Sequence, residues 1–227
     1  MTQPIRHPLL ADAGVEHGFG VRGWAGPPEL QRSVQVHGCS VALCSEDRDM
    51  RELEADSLVC REPGLAIGVV TADCLPILAC SEDGSAVAAI HAGWRGLAAG
   101  VIEAGIEALR EIAPRDAGLR AVVGPHIGRC CYEVDTPVLS ALATRFGSAT
   151  LGQASSGTRP SHARIDLGAL ARAELLRLGI ADASLACIAD PCTSCDASRF
   201  HSFRRDAAAA GRLVHVIAPR RLPENVT

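Results

Sequence analysis

Between Gly64 and Gly96 the chain carries three apolar runs, each too short for a helix and each closed by a turn signal or a chemical side chain. Gly64 to Val70, Leu75 to Cys80 and Ser85 to Ile90 are of strand length, and Ser81-Glu-Asp-Gly84 between the last two is a turn cluster. The stretch therefore reads as strand, strand, tight turn, strand, and then a glycine-flanked loop opening a helix. Cys74 falls just past one strand and His91 just past another. Side chains at strand ends project from rigid elements into a crevice at the sheet edge. A thiol and an imidazole delivered that way form either a nucleophile–base pair or two ligands of one metal. The simpler alternative is a small buried cysteine and a hydrogen-bonded histidine. The glycines around His91 favour function, because they let backbone and ligand approach closely.

Composition narrows the classes. At 227 residues with ordinary charge and plentiful apolar side chains, the chain supports one sizeable globular domain. A net charge of -4 argues against a nucleic-acid surface. Every basic residue is arginine, which excludes a lysine Schiff base, a Walker-type phosphate loop and a Ser–Lys dyad. The first residues lack an apolar signal core, and no apolar run approaches the ~20 residues of a membrane span. The expectation is a cytoplasmic protein, away from membranes, whose ten cysteines are reduced and serve as buried, metal-bound or catalytic groups.

Along the chain, residues 1–14 read as a loose arm, 15–218 as the domain and 219–227 as a tail. Val15 to Val21 reads as a first strand carrying His17. Ser33 to Cys44 reads as a strand interrupted near Gly38, with His37 at the irregularity. Ala55 to Cys60 is a short strand. Leu97 to Ala113 is the clearest helix, with Leu97, Val101, Ile102, Ile106, Leu109 and Ile112 on one stripe and Pro114 as its stop. With Arg95 beside its start, that helix offers a plausible anion site; the simpler alternative is that Gly93 and Gly96 only permit a tight turn. Leu119 to Gly124 is a strand, and Asp135-Thr-Pro137 opens a helix to Phe146. Residues 147–162 read as a flexible loop, Leu167 to Leu178 as a helix, Ser184 to Ala189 as a strand and Leu213 to Ala218 as a closing strand.

Three constellations could hold chemistry. His37, Cys74 and His91 supply two imidazoles and one thiolate, a donor set that leaves a fourth tetrahedral position open on zinc; copper suits the same set if an axial ligand is present. Cys192-x-x-Cys195 after Pro191, with Cys131-x-Glu133, imitates a zinc nucleobase-deaminase signature, but the gap between the halves is too long. The same cysteines could form half of a structural zinc site with Cys130 and Cys131, a redox pair, or a tight turn of reduced thiols. Arg199, Arg204 and Arg205 beside Phe200 and Phe203 could clamp phosphate or stack on a base, or form a solvated turn closed by Asp206.

The motifs Gln35-Val-His37-Gly, Thr71-Ala-Asp-Cys74-Leu-Pro, His91-Ala-Gly-Trp-Arg95-Gly, Gly124-Pro-x-Ile-Gly-x-Cys-Cys-Tyr-Glu133 and Cys192-Thr-x-Cys-Asp-x-x-Arg-Phe-x-Ser-Phe-Arg-Arg-Asp206 occur in that order. Across residues 15–218 the chain resembles the YfiH-like family, which carries both polyphenol oxidase (laccase-domain) and purine nucleoside phosphorylase labels. The resemblance implies an α+β domain of four layers, α/β/β/α with mixed sheets, similar to the catalytic domain of cytotoxic necrotizing factor toxins. It implies that His37, Cys74 and His91 are the metal and active-site triad, and that purine nucleosides and phosphate are the substrates, with adenosine deamination as a further activity. One branch is described as a peptidoglycan editing hydrolase, which keeps open a cysteine hydrolase with Cys74 as nucleophile and His91 as base. A metal-stabilised interaction domain is the non-enzyme alternative. In the leading reading zinc is the metal, Arg95 meets phosphate, and Asp73 handles a proton or orients a ligand. The segment from Arg22 to Arg32 is shorter than the family's, which lacks here a Ser-Leu-Asn-type motif and a helix. Eight histidines without one His-x-His pair do not build a trinuclear copper cluster, so multicopper oxidase chemistry is not expected.

Overall fold

The computed structural model describes residues 2–188 and 192–221. In chain order its strands are β1 (Glu16–Gly18), β2 (Val41–Leu43), β3 (Ser57–Cys60), β4 (Ile67–Thr71), β5 (Leu75–Ser81), β6 (Val87–Ala92), β7 (Leu119–Val123), β8 (Glu133–Asp135), β9 (Ser155–Arg159), β10 (His162–Ile165), β11 (Leu185–Cys187) and β12 (Leu213–Ala218). The helices are α1 (Pro8–Ala11), α2 (Trp94–Ala99), α3 (Val101–Ile112), α4 (Thr136–Phe146), α5 (Ser148–Gln153), α6 (Leu167–Arg177) and α7 (Phe203–Asp206).

The three apolar runs become β4, β5 and β6, but they do not share one sheet. β5 and β6 lie at the centre of a mixed six-stranded sheet of order β11-β7-β5-β6-β3-β2, while β4 pairs with β12 in a three-stranded sheet of order β1-β12-β4. Every residue of β5 is buried, as its unbroken apolar sequence requires. Leu75 and Ile77 face a core shared with Ile102 and Ile106 of α3 and Leu170 of α6. Leu78 and Cys80 face the opposite core, with Ile67 and Val69 of β4 and Ile217 of β12. Burying each such Leu or Ile contributes ~1.5–3 kcal/mol, so the central strand is clamped from both faces. The chain changes sheets between Thr71 and Leu75, and this crossover places Cys74 at the end of the sandwich.

The mixed α+β architecture is as expected, with α3 and α6 packed on one face of the large sheet and the small sheet, together with the short α1, on the other. Among the described residues no helix covers the outer face of the small sheet. The strap from Arg22 to Arg32 lies there instead: Leu30 sits 3.1 Å from where a Cβ on Gly68 would be, and Gly26 faces Val214 and Val216. Its Gly23, Gly26, Pro27 and Pro28 favour coil over helix. Behind it, His215 is fully buried, accepts from the Gly20 N–H and meets the Thr71 hydroxyl at 2.9 Å. Burial pushes its imidazole down to about 3, so it is neutral and fixes Thr71 under the crossover.

Several expectations are corrected. The arm is not loose: Ile5 pairs with Phe19, and Leu10 is fully buried. The strand expected over 33–44 is regular only at Val41–Leu43, the rest being loop with an isolated bridge at Val34. Residues 147–162 hold α5 and β9, and β9 turns into β10 to form a hairpin in a third sheet of order β8-β10-β9. The strand after Ser184 covers Leu185–Cys187; Ala189 and Pro191 lie outside the described residues. The long helix is two helices. It begins at Trp94 and breaks at Gly100, whose φ of 88° is left-handed, a conformation that glycine adopts without Cβ strain.

That break is braced by charge. The Arg145 guanidinium lies against Gly100 and pairs with Glu103 at 2.8 Å and with Glu174. Arg177 pairs with the same two carboxylates, at 2.6 and 2.9 Å. Burial tends to raise Glu174, but the two guanidiniums outweigh it and hold its carboxyl below the usual range. A depressed folded pKa gives stabilisation that is present above the unfolded value of ~4.3 and is lost as pH falls through the folded one. Glu174→Gln is therefore expected to destabilise by about 1–3 kcal/mol at neutral pH. The deficit shrinks in acid, which urea unfolding at pH 7 and near pH 3 measures.

Candidate active site

His37, Cys74 and His91 arrive from three elements. His91 is inside β6, paired with Pro76 of β5, not beyond the strand end. Cys74 ends the crossover from β4. His37 lies in the loop before β2 with φ 60°. Their ligand atoms lie within 4.8 Å of one another. The His37 Nε2 stands 3.9 Å from the Cys74 Sγ, and the two imidazoles meet edge to face at 4.8 Å between centroids. Gly93 makes room for this meeting: a Cβ there would lie 2.9 Å from His37 Cδ2 and 3.1 Å from Cys74 Sγ.

The group that assembles the trio is Asp56, which the sequence reading did not single out. It is fully buried. Its carboxylate meets His91 Nδ1 at 2.7 Å and accepts the N–H groups of Val36, His37 and Gly38 at 3.2, 3.0 and 2.7 Å. Three successive N–H groups converging on one anion form a nest, and this holds His37 in its left-handed conformation, which costs ~1–2 kcal/mol for a residue other than glycine. Burial opposes ionisation of Asp56, yet His91 and the nest hold its carboxyl below the usual range. The signal available in the sequence was an acid inside the apolar strand Ala55 to Cys60.

Electrostatics differ sharply among the thiols. Burial pushes Cys44 and Cys80 up to about 12 and Cys60 to about 11. Burial also acts on Cys74, but His37 and His91 together outweigh it and bring the thiol down to about 7. His91, which burial alone would lower, is lifted to about 9 by Asp56 and Cys74.

Around the trio is a cavity of about 520 Å³ lined by Val70, Trp94, Arg95, Tyr132, Phe203, Arg204 and Arg212 among others. Gln35 seals one edge, its amide accepting from Val70 N–H at 2.7 Å and donating to Val70 O at 2.8 Å. Arg95, in the first turn of α2, stacks over Trp94 at 4.5 Å. Among the described residues Arg95, Arg204 and Arg212 make no ion pair with a carboxylate. Asp73, expected either to handle a proton or to orient a ligand, has its carboxylate engaged by three donors: it accepts from Thr193 Oγ1 at 2.6 Å, Ser202 Oγ at 3.0 Å and Arg204 N at 2.6 Å. It is a tie between two loops behind Cys74. The arginine–aromatic stretch divides. Arg204 and Phe203 face the cavity, whereas Arg205 is spent on Asp206 and on carbonyls of Thr193, Ser194 and Phe200, and Phe200 is core.

The residues fit a first-row metal. Two imidazole nitrogens and a thiol converge, and the Asp56 carboxylate on His91 Nδ1 leaves Nε2 free, the outer-shell arrangement common to metal-ligating histidines.

Residues 22–220 match the family described as multi-copper polyphenol oxidoreductase laccase. A protein named purine nucleoside phosphorylase from Xylella fastidiosa is 40% identical over 176 residues, covering 76% of this chain and 65% of that one. The chain thus spans slightly less than two thirds of that relative. A protein named adenosine deaminase RL5, from an unknown prokaryotic organism, is 34% identical over 193 residues, 81% of this chain and 72% of its own. The crystal structure of the hypothetical protein YfiH from Bacillus licheniformis superposes with a TM-score of 0.81 at 26% identity, covering 90% of this chain and 92% of that one. On the match over most of its length, on these relatives and on the shared fold, the chain belongs to the YfiH-like family of laccase-domain proteins.

Proposed function

We propose that this chain is a zinc-dependent purine nucleoside phosphorylase with adenosine deaminase activity, and that His37, Cys74 and His91 hold the metal. The observation that carries the reading is the convergence of these three side chains at the floor of an open cavity whose rim bears three arginines without a carboxylate partner among the described residues. A cavity of about 520 Å³ is of the size that takes a small organic ligand. Zinc, when bound, supplies Lewis acidity and lowers the pKa of water toward ~7.

The chain's own groups supply the rest. Trp94, Tyr132 and Phe203 offer faces for a purine. Arg95, Arg204 and Arg212 hold phosphate in place of the lysines that the chain lacks. In phosphorolysis a phosphate oxygen bonds to C1′ of the ribose as the C1′–N9 bond breaks, and the purine leaves with the bond's electron pair and takes up a proton. In deamination water adds at C6 and ammonia departs. Names of relatives that include a purine nucleoside phosphorylase and an adenosine deaminase favour these two reactions. Protein loaded with zinc is expected to release hypoxanthine from inosine only when phosphate is present, and to convert adenosine to inosine without it. No hypoxanthine from fully loaded protein removes the phosphorylase reading.

A second reading rests on the line Asp56–His91–Cys74, which has the roles of acid, base and nucleophile of a cysteine hydrolase acting on an amide in a cell-wall precursor. In metal-free protein, alkylation of Cys74 should rise as pH passes about 7, while Cys44, Cys60 and Cys80 stay inert. A covalent substrate adduct on Cys74 in active, metal-free protein would replace the zinc reading with this one. Asp56→Asn is expected to weaken metal binding by ~10–100-fold, read by competition with a chelating dye; unchanged affinity would separate Asp56 from the metal.

A further inference from the structure

Four cysteines far from the triad in sequence also meet. Cys130 and Cys131 follow the turn after β7, and Cys192 and Cys195 come from the loop before α7; their sulfurs lie within 4.8 Å of one another. Cys195 Sγ is 3.6 Å from Cys130 Sγ and 3.3 Å from Cys131 Sγ. These separations are far beyond a disulfide bond of about 2.05 Å. They are close to the ~3.8 Å between sulfurs that share a tetrahedral zinc at ~2.3 Å.

The backbone is shaped around the sulfurs. Gly128 N–H donates to Cys192 Sγ at 3.1 Å. A Cβ on Gly128 would lie 3.1 Å from Cys192 Cβ and 3.3 Å from Cys130 Sγ, so a side chain there would crowd the thiols. The N–H groups of Cys195 and Asp196 both turn back to Cys192 O, at 3.0 and 3.1 Å, which curls this loop around its own sulfurs. An N–H aimed at sulfur is the outer-shell contact that stabilises a thiolate ligand.

We propose that Cys130, Cys131, Cys192 and Cys195 form a second metal site, a closed tetrathiolate zinc centre that clamps two loops of the cavity wall together. Binding joins one Zn²⁺ to four sulfurs and releases four protons, with no change of oxidation state. Four protein ligands fill the tetrahedron, so the centre is structural. The deaminase-like pairing of Cys131 with Glu133 does not operate: the Glu133 carboxylate turns to Arg159 at 2.7 Å. The clamp bears on the cavity through neighbours in sequence. Tyr132 follows Cys131 and lines the cavity, and Thr193 follows Cys192 and holds Asp73 beside Cys74. Arg204 closes the arrangement by donating to Cys131 O and Glu133 O at 3.0 and 3.1 Å.

The test does not depend on turnover. Protein purified with zinc present should carry two zinc ions per chain by elemental analysis. Cys130→Ser with Cys195→Ser should lose one of them, and His37→Ala with His91→Ala the other. One zinc in wild type that survives the cysteine pair overturns the proposal, whatever becomes of the phosphorylase reading. Should the cysteine pair fail to fold, cobalt added to metal-free His37→Ala/His91→Ala decides the matter. Strong sulfur-to-cobalt charge transfer at one equivalent supports the centre, and its absence overturns it. Counting fewer than ten free thiols in denatured, unreduced wild type would likewise overturn it, in favour of a disulfide pair.

Discussion

A single buried carboxylate organises the site. Asp56 stands at the start of a strand with no access to water, and its charge is balanced by four donors, three from the backbone of one loop and one from His91. An unpaired buried charge would cost several kcal/mol, so the loop must close over the carboxylate for the protein to fold. The consequence is chemical: the same contact that satisfies Asp56 sets His37 in a left-handed turn and orients the imidazole of His91. Folding and assembly of the trio are therefore one event.

The second constraint is topological. β4 and β5 are nearly continuous in sequence, yet they belong to different sheets. A chain that leaves one layer of a sandwich and enters the next within three residues must expose backbone at the rim. Asp73, at φ 93°, absorbs the bend. Its carboxylate is engaged by Thr193, Ser202 and Arg204 from the C-terminal part of the chain. Strain of this kind persists where surrounding contacts over-determine it, and here those contacts also deliver Arg204 to the cavity.

What was legible in the sequence follows from the range of the forces involved. β5, α4 and α6 could be read because their patterns and stops are local: the apolar run of β5, Pro137 in the first turn of α4, and the spacing of Leu167, Leu170, Ala171 and Leu175 in α6. The break at Gly100 was hidden because an apolar stripe continues across it, while the guanidinium that braces it, that of Arg145, lies in α4. The hairpin of β9 and β10 is hard to read because β9 is polar and exposed along its length, and the burial alternation of β10 spans only four residues, with Ala163 and Ile165 inward. The trio itself was visible as residue types at or near the ends of apolar runs, although His91 proves to lie inside β6. Asp56 was not, since a lone acid in a short strand looks like a surface residue until the loop that covers it is known.

The strap from Arg22 to Arg32 shows which parts of this architecture are independent. Residues 22–32 border a cavity of about 390 Å³ on the outer face of the small sheet, lined by Trp24, Leu30, Arg32 and Val214. Arg212 borders both this cavity and the one above the triad. The shared wall is thus a long side chain held by its own backbone, with Arg212 Nη1 donating to Ala210 O and Gly211 O. No contact of Asp56, Gln35 or Gly93 described above reaches the strap. The strap therefore bounds the space beside the cavity while the donors of the trio are held independently of it, which separates what shapes the cavity from what carries its chemistry.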